Sequence, residues 1–366
     1  MKTLAIETSC DDTSLWIIEF KLNKFNPVKV LLHSQINDHK KFGWVVPELA
    51  SRLHEEKIMD LLEEIWEKEI RNVNFISYTC CPWLPWSLLV WTTLANTLSV
   101  FLKKKKLPIN HIHWHIFSIF IERNINEIKF PLIVLTVSGW HNELYLVDKI
   151  TNIQNIKNYK LDKYLEKLAN NYWLKKSDLI QKVWNFILYK LGFTLDDAAW
   201  EAFDKVSKML WWPYPWWKWI YDKSKLLITN DEWLNENFEF SRIWLKKNEF
   251  NFSFSGLKAQ VNYKIQDLEK KYWKITSILQ SKIAYEFQEA VVETLWKKLL
   301  KSTDFFGVKN IAIVWWVSAN LRLKNFIYQN MKKFWIKNFY TPVKPLYSTD
   351  NAAMIGVVGL LKIIKP

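Results

Sequence analysis

The chain has 366 residues, 49% of them hydrophobic, which is enough for two domains or for one fold of two lobes with a sizeable core. Its 51 Lys and Arg outnumber its 37 Asp and Glu, and the net charge of +14 indicates either a polyanionic partner such as RNA or a lysine-rich genome. No apolar run reaches the ~18 residues that span a bilayer, and the three cysteines have neither ligand spacing nor a disulfide pattern. A membrane protein and a disulfide-stabilised secreted protein are therefore excluded.

The first predicted elements are a strand, a polar hairpin and a second strand. Residues 4–7 and 15–20 have strand patterns, and the hairpin at 8–14 offers hydroxyls and backbone amides to phosphates. Asp11 in this hairpin is a candidate for holding a cation or positioning a nucleophile, although Asp-rich turns are common. Glu7 stands where a signal peptide would be apolar, so the sequence predicts a cytoplasmic protein.

The rest of the chain alternates predicted helices and strands. Helical spacing is found at 51–65, 87–103, 278–301 and from 321 onward, and strands are predicted at 75–79, 108–112, 131–137, 143–148 and 311–314. Residues 149–195, rich in Asn and Lys, are predicted to form an inserted, mostly helical segment. Two strand–hairpin–strand units, each followed by helices, predict two related α/β lobes around a cleft.

A histidine pair that begins at the end of the strand predicted at 108–112 is the clearest chemical signal. His111 and His115 are four residues apart, which on a helix places both imidazoles on one face. Imidazole is a common ligand of Zn²⁺ and Fe²⁺, although for an isolated pair a polar helix end with three histidines is the more common explanation. A zinc protease is set aside because Ile112 replaces the Glu of the HExxH motif.

The balance of tryptophan and glycine is abnormal. The chain has 23 Trp and 7 Gly, whereas average glycine usage of about 7% would give roughly 25. Several tryptophans lie in turns, as at 211–217, or directly after an apolar strand, as at 315–316. Such positions require positive φ or close backbone approach, which glycine permits. We therefore hypothesise that the gene uses UGA for glycine and that these codons are printed as tryptophan; the alternative is a genuinely tryptophan-rich protein.

Six motifs make the chain resemble the tRNA threonylcarbamoyladenosine transferases of the TsaD type, over residues 1 to about 362. The motifs are residues 6–13, 45–52, 196–199, 252–258, 317–320 and 349–354. Tryptophan stands where that family has glycine at positions 44, 83, 86, 91, 114, 140, 200, 216, 217, 315 and 316. This regularity supports the recoding hypothesis.

The resemblance implies an α/β fold of two lobes, like actin, Hsp70 and sugar kinases, with a cleft between the lobes. The N-terminal lobe would be 1–116, completed by a C-terminal helix at 349–366. The C-terminal lobe would be 117–348, with the insertion at about 149–195.

The resemblance also implies an activity and a site. A threonylcarbamoyl group would pass from its adenylate, threonylcarbamoyl-AMP, to N6 of the adenosine after the anticodon in tRNAs reading ANN codons, and AMP would leave. One divalent metal, Fe²⁺ or alternatively Zn²⁺, would be held by His111, His115 and Asp350, with His113 where the family usually has an acid. Asp11 matches a residue important for catalysis. The nucleotide would contact Thr136, Val137, Ser138, Gly139, Trp140, Asp204, Trp217 and Asn320.

The resemblance implies partners as well: tRNA, a paralogous partner subunit and a small ATPase, with no membrane. The chain departs from the family at Cys80 and Cys81, where small residues and a glycine are usual.

Two other functions remain open. One is an ATPase or phosphotransferase of the same superfamily, although such enzymes hold Mg²⁺ through carboxylates and water rather than histidines. The other is a non-catalytic binding protein, if the tryptophans are real.

Overall fold

The computed structural model describes residues 1–65, 68–81, 85–137, 141–150, 159–212, 216–228, 238–242, 249–315, 318 and 320–364. The chain divides into two compact units. Unit 1 consists of Met1–Phe130, Lys182–Phe186 and Tyr340–Pro366, and unit 2 of Pro131–Gln181 and Ile187–Phe339. These boundaries differ from the predicted ones at 116/117 and 348/349. The segment after residue 116 joins unit 1 because Glu122 N donates to Phe25 O at 2.8 Å and the Phe120 ring packs edge-on against that of Phe25.

The strands and helices alternate along the chain. The strands are β1 Lys2–Glu7, β2 Asp12–Lys21, β3 Lys24–Ser34, β4 Phe75–Cys81, β5 Lys105–Asn110, β6 Leu132–Val137, β7 Asn142–Lys149, β8 Ile180–Val183, β9 Phe186–Gly192, β10 Asn310–Val314 and β11 Asn338–Tyr340. The helices are α1 Ile36–His39, α2 Pro47–Ile65, α3 Lys68–Arg71, α4 Pro85–Leu102, α5 His111–Phe117, α6 Tyr159–Asn171, α7 Ala199–Met209, α8 Trp216–Ile228, α9 Ser255–Tyr272, α10 Ser277–Phe306, α11 Leu321–Met331 and α12 Ala352–Ile363. Within the described residues, none of the helices combines the length and the apolar character needed to cross a bilayer.

Unit 1 is built on a five-stranded sheet in the order β3-β2-β1-β4-β5. β1 pairs antiparallel with β2 and parallel with β4, and β4 pairs parallel with β5. Because alternate strand residues face opposite sides of a sheet, Leu4 and Ile6 pack on one face with apolar side chains of α2 and α4. Parallel pairing of β1, β4 and β5 places their carboxyl ends, and the residues that follow them, at the same edge.

The other face of this sheet is covered by α12. Two glycines of that helix allow the close approach: a Cβ at Gly359 would lie 1.9 Å from Ser77 Oγ, and one at Gly356 would lie 2.6 Å from Ile18 Cγ1. All ten residues from Ala352 to Leu361 are buried. Because α12 packs so closely on the sheet, the position of the residues that precede it, including Asp350, is fixed relative to the strands of unit 1.

Unit 2 contains a six-stranded sheet in the order β11-β10-β6-β7-β9-β8. β6 pairs parallel with β10 and antiparallel with β7. The 30-residue α10 has 19 buried residues and supplies much of the hydrophobic core. Its first turn is capped by Thr276, whose hydroxyl accepts from Leu279 N, and it ends at Gly307 with φ +68°.

The prediction of an inserted, mostly helical segment at 149–195 missed two strands in its described part. Residues 159–195 form one helix, α6, and the strands β8 and β9, which extend the sheet of unit 2 next to β7. Residues 151–158 lie outside the described residues. The two strands were not predicted because their apolar residues alternate only partly with polar ones. In addition, β9 is a short apolar run within an Asn- and Lys-rich segment.

Six of the ten described non-glycine residues with positive φ are tryptophans: Trp173, Trp184, Trp211, Trp273, Trp315 and Trp335, with φ between 52° and 71°. Positive φ is rare outside glycine, and for a bulky side chain it is an outlier. Four of the six follow a helix, where the left-handed residue is usually glycine.

The helix ends show the pattern in detail. After α7, Trp211 N donates to Lys208 O and Trp212 N to Ser207 O, the two hydrogen bonds of a Schellman motif with Trp211 at its left-handed position. After α11, Trp335 N donates to Lys332 O and Ile336 N to Met331 O, which is the same arrangement. At the end of α9, Trp273 has φ +61° and donates to Glu269 O, just as Gly307 at the end of α10 donates to Thr303 O.

Candidate functional site

Two histidines and one aspartate of unit 1 converge on one point. His111 and His115 both lie on α5, confirming that their spacing places them one turn apart on a helix. His115 Nε2 lies 3.1 Å from Asp350 Oδ1, and His111 Nε2 lies 3.8 Å from the same oxygen. One ligand atom of each residue lies within 4.8 Å of the other two, and both histidines are fully buried. Two imidazoles and one carboxylate are a donor set suited to Fe²⁺ or Zn²⁺.

Local structure holds the aspartate in place. Asn351 caps α12, its Oδ1 accepting from Ala353 N at 3.0 Å. Its Nδ2 donates to Leu346 O at 2.9 Å and to Thr349 O at 2.7 Å. Ser14 Oγ of β2 accepts from Ala352 N. These bonds fix the backbone on both sides of Asp350.

A buried chain of hydrogen bonds sets the tautomer of His111. Glu7 Oε1 accepts from Ser9 N at 2.8 Å and from the Ser9 hydroxyl, while Glu7 Oε2 accepts from the Thr79 hydroxyl. Since the Ser9 hydroxyl proton is committed to Glu7, Ser9 Oγ accepts from His111 Nδ1 at 2.8 Å. His111 is therefore protonated at Nδ1, and the lone pair of Nε2 faces Asp350.

The same region concentrates carboxyl groups whose ionised form is disfavoured. Burial, with the Asp350 charge adding to it, raises the pKa of Glu7 to about 8. Burial and the adjacent Asp11 carboxylate raise the pKa of Asp12 to about 8, and burial followed by the Asp350 charge raises the pKa of Asp11. A bound cation would lower the cost of these neighbouring carboxylates, so the electrostatics of the cluster fit a metal ion.

Asp11 lies in the turn between β1 and β2, and a second buried network fixes that turn. Gln35 N donates to Asp11 O at 3.0 Å. His54 of α2 contacts Cys10 O through Nε2 at 3.0 Å and Thr13 Oγ1 through Nδ1 at 2.8 Å, and Gln35 Nε2 lies 3.0 Å from the same Nδ1. Since an amide nitrogen only donates, His54 is the neutral tautomer with its proton on Nε2.

Trp114 packs directly against both histidines of the cluster. Its ring centroid is 4.2 Å from that of His111 and 5.2 Å from that of His115. Trp114 is fully buried, and its indole N–H, like those of Trp16 and Trp91, has no hydrogen-bond partner among the described residues. Each such buried donor costs roughly 1–3 kcal/mol, so these indoles are poorly suited to their surroundings.

The residues predicted to contact the nucleotide lie in unit 2. Thr136 and Val137 end β6 and are buried, and Asn320 caps α11 by accepting from Leu323 N at 3.1 Å. Because β6 and β10 are parallel, with Thr136 opposite Val314, the segments after both strands leave the same edge of the sheet. That edge is where ligands bind in open α/β sheets.

The other predicted nucleotide contacts are less completely placed. Asp204 is half-buried on α7, and Trp217 is the second residue of α8, which packs against α7. The side chain of Trp217 and residues Ser138, Gly139 and Trp140 lie outside the described part of the chain, as does the His113 side chain.

Two of the matched motifs meet in unit 2 and have a structural role. Asp196 accepts from Phe254 N at 3.0 Å and from the hydroxyls of Ser253 and Ser255 at 2.5 and 2.6 Å, so it caps the start of α9. Asp197 pairs with Lys205 and Lys258 at 2.7 and 2.6 Å. Hydrogen bonds lower the pKa of Asp196 although burial opposes them.

Sequence reasoning gave no role to Glu7, Ser9, Thr79 or His54. Each is a polar residue that is fully or almost fully buried. The only sequence signal was an acid in the otherwise apolar first strand, and its meaning depends on β1 and β4 ending, and α5 beginning, at one edge.

The model of the tRNA N6-adenosine threonylcarbamoyltransferase family matches residues 28–183 and 183–357. The chain is 33% identical to the tRNA N6-adenosine threonylcarbamoyltransferase of Kosmotoga olearia, over 99% of this chain and 93% of that protein. It is 35% identical to that of Buchnera aphidicola subsp. Schizaphis graminum, again over 99% and 93% of the two chains. The enzyme of Mycoplasma capricolum is 32% identical over 100% and 98%.

Two solved structures have a similar fold at low sequence identity. The crystal structure of full-length HypF in the phosphate- and nucleotide-bound form matches with a TM-score of 0.54 at 12% identity, over 100% of this chain and 56% of that one. HypF from T. kodakarensis matches with a TM-score of 0.52 at 13% identity, over 98% and 47%. With the two mixed sheets and their helices, these matches confirm the predicted α/β fold class.

Proposed function

The chain belongs to the tRNA N6-adenosine threonylcarbamoyltransferase family, and we propose that it transfers the threonylcarbamoyl group from threonylcarbamoyl-AMP to N6 of the adenosine after the anticodon in tRNAs reading ANN codons, releasing AMP. The enzyme class, a tRNA-modifying transferase, follows from the family. The observation that carries the finer proposal is the convergence of His111, His115 and Asp350 in the buried cluster of unit 1.

We propose that this cluster holds Fe²⁺, with Zn²⁺ as the alternative. Two His and one carboxylate leave coordination positions open, as in the facial triads of non-haem Fe²⁺ enzymes. When bound, the metal supplies Lewis-acid polarisation of the oxygens of the acyl adenylate. The buried carboxylates around the cluster favour a divalent cation electrostatically.

The chain's own residues have defined tasks in this proposal. Glu7 and Ser9 keep His111 in the Nδ1–H tautomer, and Asn351 orients Asp350. Asp11 is proposed to act on the substrate, since a partly buried carboxylate with a raised pKa can accept the proton that the attacking amine loses. The amine of adenosine is a poor nucleophile, so its positioning contributes most to the rate.

We propose that the nucleotide part contacts Thr136, Val137, Ser138, Gly139, Trp140, Asp204, Trp217 and Asn320. Support comes from the shared edge at which the segments after β6 and β10 leave the sheet of unit 2.

The proposed partners are tRNA, a paralogous subunit and a small ATPase, and the proposed location is the cytoplasm, where tRNA is modified. The net charge of +14 suits an RNA substrate.

We further propose that UGA is read as glycine in this gene, so that the 23 printed tryptophans are glycines in the cell. The six tryptophans with positive φ support this proposal, as do the three buried indoles that have no hydrogen-bond partner within the described part of the chain. Trp184 gives further support, because it is the first of the two residues that join β8 to β9 and has φ +54°. Glycine usually occupies this position in a type II′ hairpin. At position 114, glycine in place of Trp114 would remove the indole that packs on the two histidines of the proposed metal site.

The proposed reaction is tested with the glycine form of the protein. The double variant His111→Ala, His115→Ala should bind no metal and should leave tRNA unmodified, as read by metal analysis and by mass spectrometry of tRNA nucleosides. The matched control is His141→Ala, an exposed histidine of unit 2, which should retain both properties. Full metal content in the double variant would refute the metal assignment, and modified tRNA would refute its role in the reaction.

The phosphotransferase alternative has less support, because two of the three converging groups are imidazoles rather than the oxygen ligands that Mg²⁺ prefers. ATP turnover by the double histidine variant at the rate of the parent protein, without any tRNA modification by the parent, would establish it.

A further inference from the structure

The last two residues of β4, Cys80 and Cys81, are a pair of free thiols that the proposed reaction does not use. Their Sγ atoms lie 3.2 Å apart, less than the ordinary contact distance of two sulfur atoms. Cys81 is exposed and Cys80 is half-buried. The chain's third cysteine, Cys10, lies in the turn between β1 and β2 and is not part of this pair.

A local irregularity of β4 explains why the two thiols meet. Consecutive side chains of a regular strand point to opposite faces, which would keep adjacent cysteines apart. Here the pairing of β4 with β5 shifts between Thr79 and Cys81: Thr79 is opposite Ile109 and Cys81 is opposite Asn110, so Cys80 is an extra residue. Such a bulge re-aims side chains and brings both sulfurs together.

The neighbours of the pair are suited to sulfur chemistry. Asn110 Nδ2 donates to Cys81 Sγ at 3.6 Å. The Lys362 ammonium, which donates to Pro108 O at 3.0 Å, lies close enough to lower the pKa of Cys80. Burial and the Cys81 thiol outweigh that effect and raise the pKa of Cys80 to about 12. The exposed Cys81 is therefore the thiol placed to react first.

We propose that Cys80 and Cys81 are a redox-modified site that closes to a vicinal disulfide on reaction with a small disulfide of the glutathione class. Cys81 as thiolate attacks one sulfur of the oxidant, a Cys81–S bond forms, the oxidant's S–S bond breaks, and the first thiolate leaves and takes up a proton. Cys80 then loses its proton and attacks Cys81 Sγ, the bond between the two cysteines forms, and the second small thiol leaves. Two electrons and two protons pass in total to the oxidant, which is released as two thiols.

The second step becomes easier once the first has occurred. The Cys81 thiol contributes both a hydrogen bond and a charge effect to the high pKa of Cys80. In the mixed disulfide Cys81 no longer carries a thiol, while Lys362 remains. The exchange therefore lowers the pKa of the resolving thiol at the moment it must attack.

The test uses the reduced full-length chain, native and metal-free, with glutathione disulfide as the probe. The parent protein should lose the mass of two hydrogens, with the new bond mapped to the peptide that contains residues 80 and 81. Cys10→Ser should behave like the parent. Cys80→Ser should stop at one stable glutathione adduct on Cys81, because the resolving thiol is missing, and Cys81→Ser should give no closed product.

Three results would overturn the proposal. They are an adduct on the parent protein that never closes, a hydrogen loss that persists in Cys81→Ser, and closure that requires urea. Phenylarsine oxide, which bridges paired thiols, should bind the reduced parent once and the Cys80→Ser variant not at all. Since neither tRNA nor metal is present, these outcomes are independent of the proposed reaction.

Discussion

The position of a single proton on His111 depends on a serine. Ser9 Oγ donates to Glu7 and accepts from His111 Nδ1, so it links the ligand to a buried carboxylate. Partners of this kind orient a ligand and increase its basicity, and their loss typically weakens metal binding 10–100-fold. Ser9 acts through His111 and is a positioning residue.

We predict that Ser9→Ala lowers metal affinity by roughly 10–100-fold, whereas the metal-free protein loses only the roughly 1–3 kcal/mol expected for the unpaired His111 Nδ1. Competition against a chelator measures the affinity, and the d–d spectrum of the Co²⁺ form reports the ligand geometry. Ser77→Ala is the matched control, because Ser77 is an equally buried serine that bonds Thr3 and not a residue of the His111 network. An equal loss of affinity in both variants would show a general packing effect instead.

The ends of helices are where tryptophan and glycine are most directly compared. Trp273 ends α9 and Gly307 ends α10, both with positive φ and a hydrogen bond back to the last turn. Trp273 is 96% exposed, so its indole contributes almost no burial to offset the strain. A left-handed conformation costs an L-residue about 1–2 kcal/mol.

We predict that Trp273→Gly in the printed sequence increases the free energy of unfolding by about 1 kcal/mol. Lys270→Gly, an exposed position of the same helix with ordinary helical φ, should decrease it by about 1 kcal/mol. Denaturant unfolding of both variants measures the difference. Destabilisation by both exchanges would mean that the helix end tolerates the indole without strain.

The contact between α2 and the β1–β2 turn is pH-sensitive. Burial lowers the pKa of His54 from 6.5 to about 4. Because the folded pKa lies below the unfolded value, the folded protein binds fewer protons, so this stability is fully present above pH 6.5 and is lost as the pH falls toward 4. The shift corresponds to up to about 3 kcal/mol.

We predict that His54→Gln changes the stability difference between about pH 7.5 and 4.5 by up to about 3 kcal/mol relative to the parent, since glutamine does not titrate in that range. The raised pKa values of Glu7 and Asp12 act in the opposite sense, but they do so in both proteins and cancel in the comparison. His141→Gln should retain the full difference. Urea midpoints at the two pH values measure it. A slope in His54→Gln as steep as that of the parent would assign the acid sensitivity to other groups.

At the scale of the molecule, the excess of 14 positive charges predicts that tRNA binding depends on salt concentration. If Lys and Arg contact phosphates, tRNA affinity should fall more than about tenfold between roughly 50 and 200 mM salt, because each contact releases counterions. Filter binding or fluorescence anisotropy of the glycine form measures this fall. Affinity that is flat over that range would assign the lysines to genome bias.

Sequence reasoning located β1, β2, β4, β6, β7, β10, part of β5 and the helix of His111 and His115, because apolar periodicity and the four-residue spacing are local signals. It missed β3 and β11, and it predicted helix where β8 and β9 extend a sheet. It also gave Glu7, Ser9 and Thr79 no role, since their contacts join residues up to 102 positions apart. Non-local pairing of this kind leaves no trace in the pattern of a single chain.

The surroundings of the histidine cluster and the ends of the helices both depend on which residue the cell inserts at the 23 tryptophan positions. The printed chain has a mass of 44.1 kDa. Since glycine has no side chain, 23 exchanges would remove roughly 3 kDa. The most direct measurement is the intact mass of the protein isolated from its native cells, with peptides covering Trp211, Trp273 and Trp315 sequenced by mass spectrometry. We predict the lighter mass and glycine at all three positions; the full printed mass, with indoles in those peptides, would contradict the account.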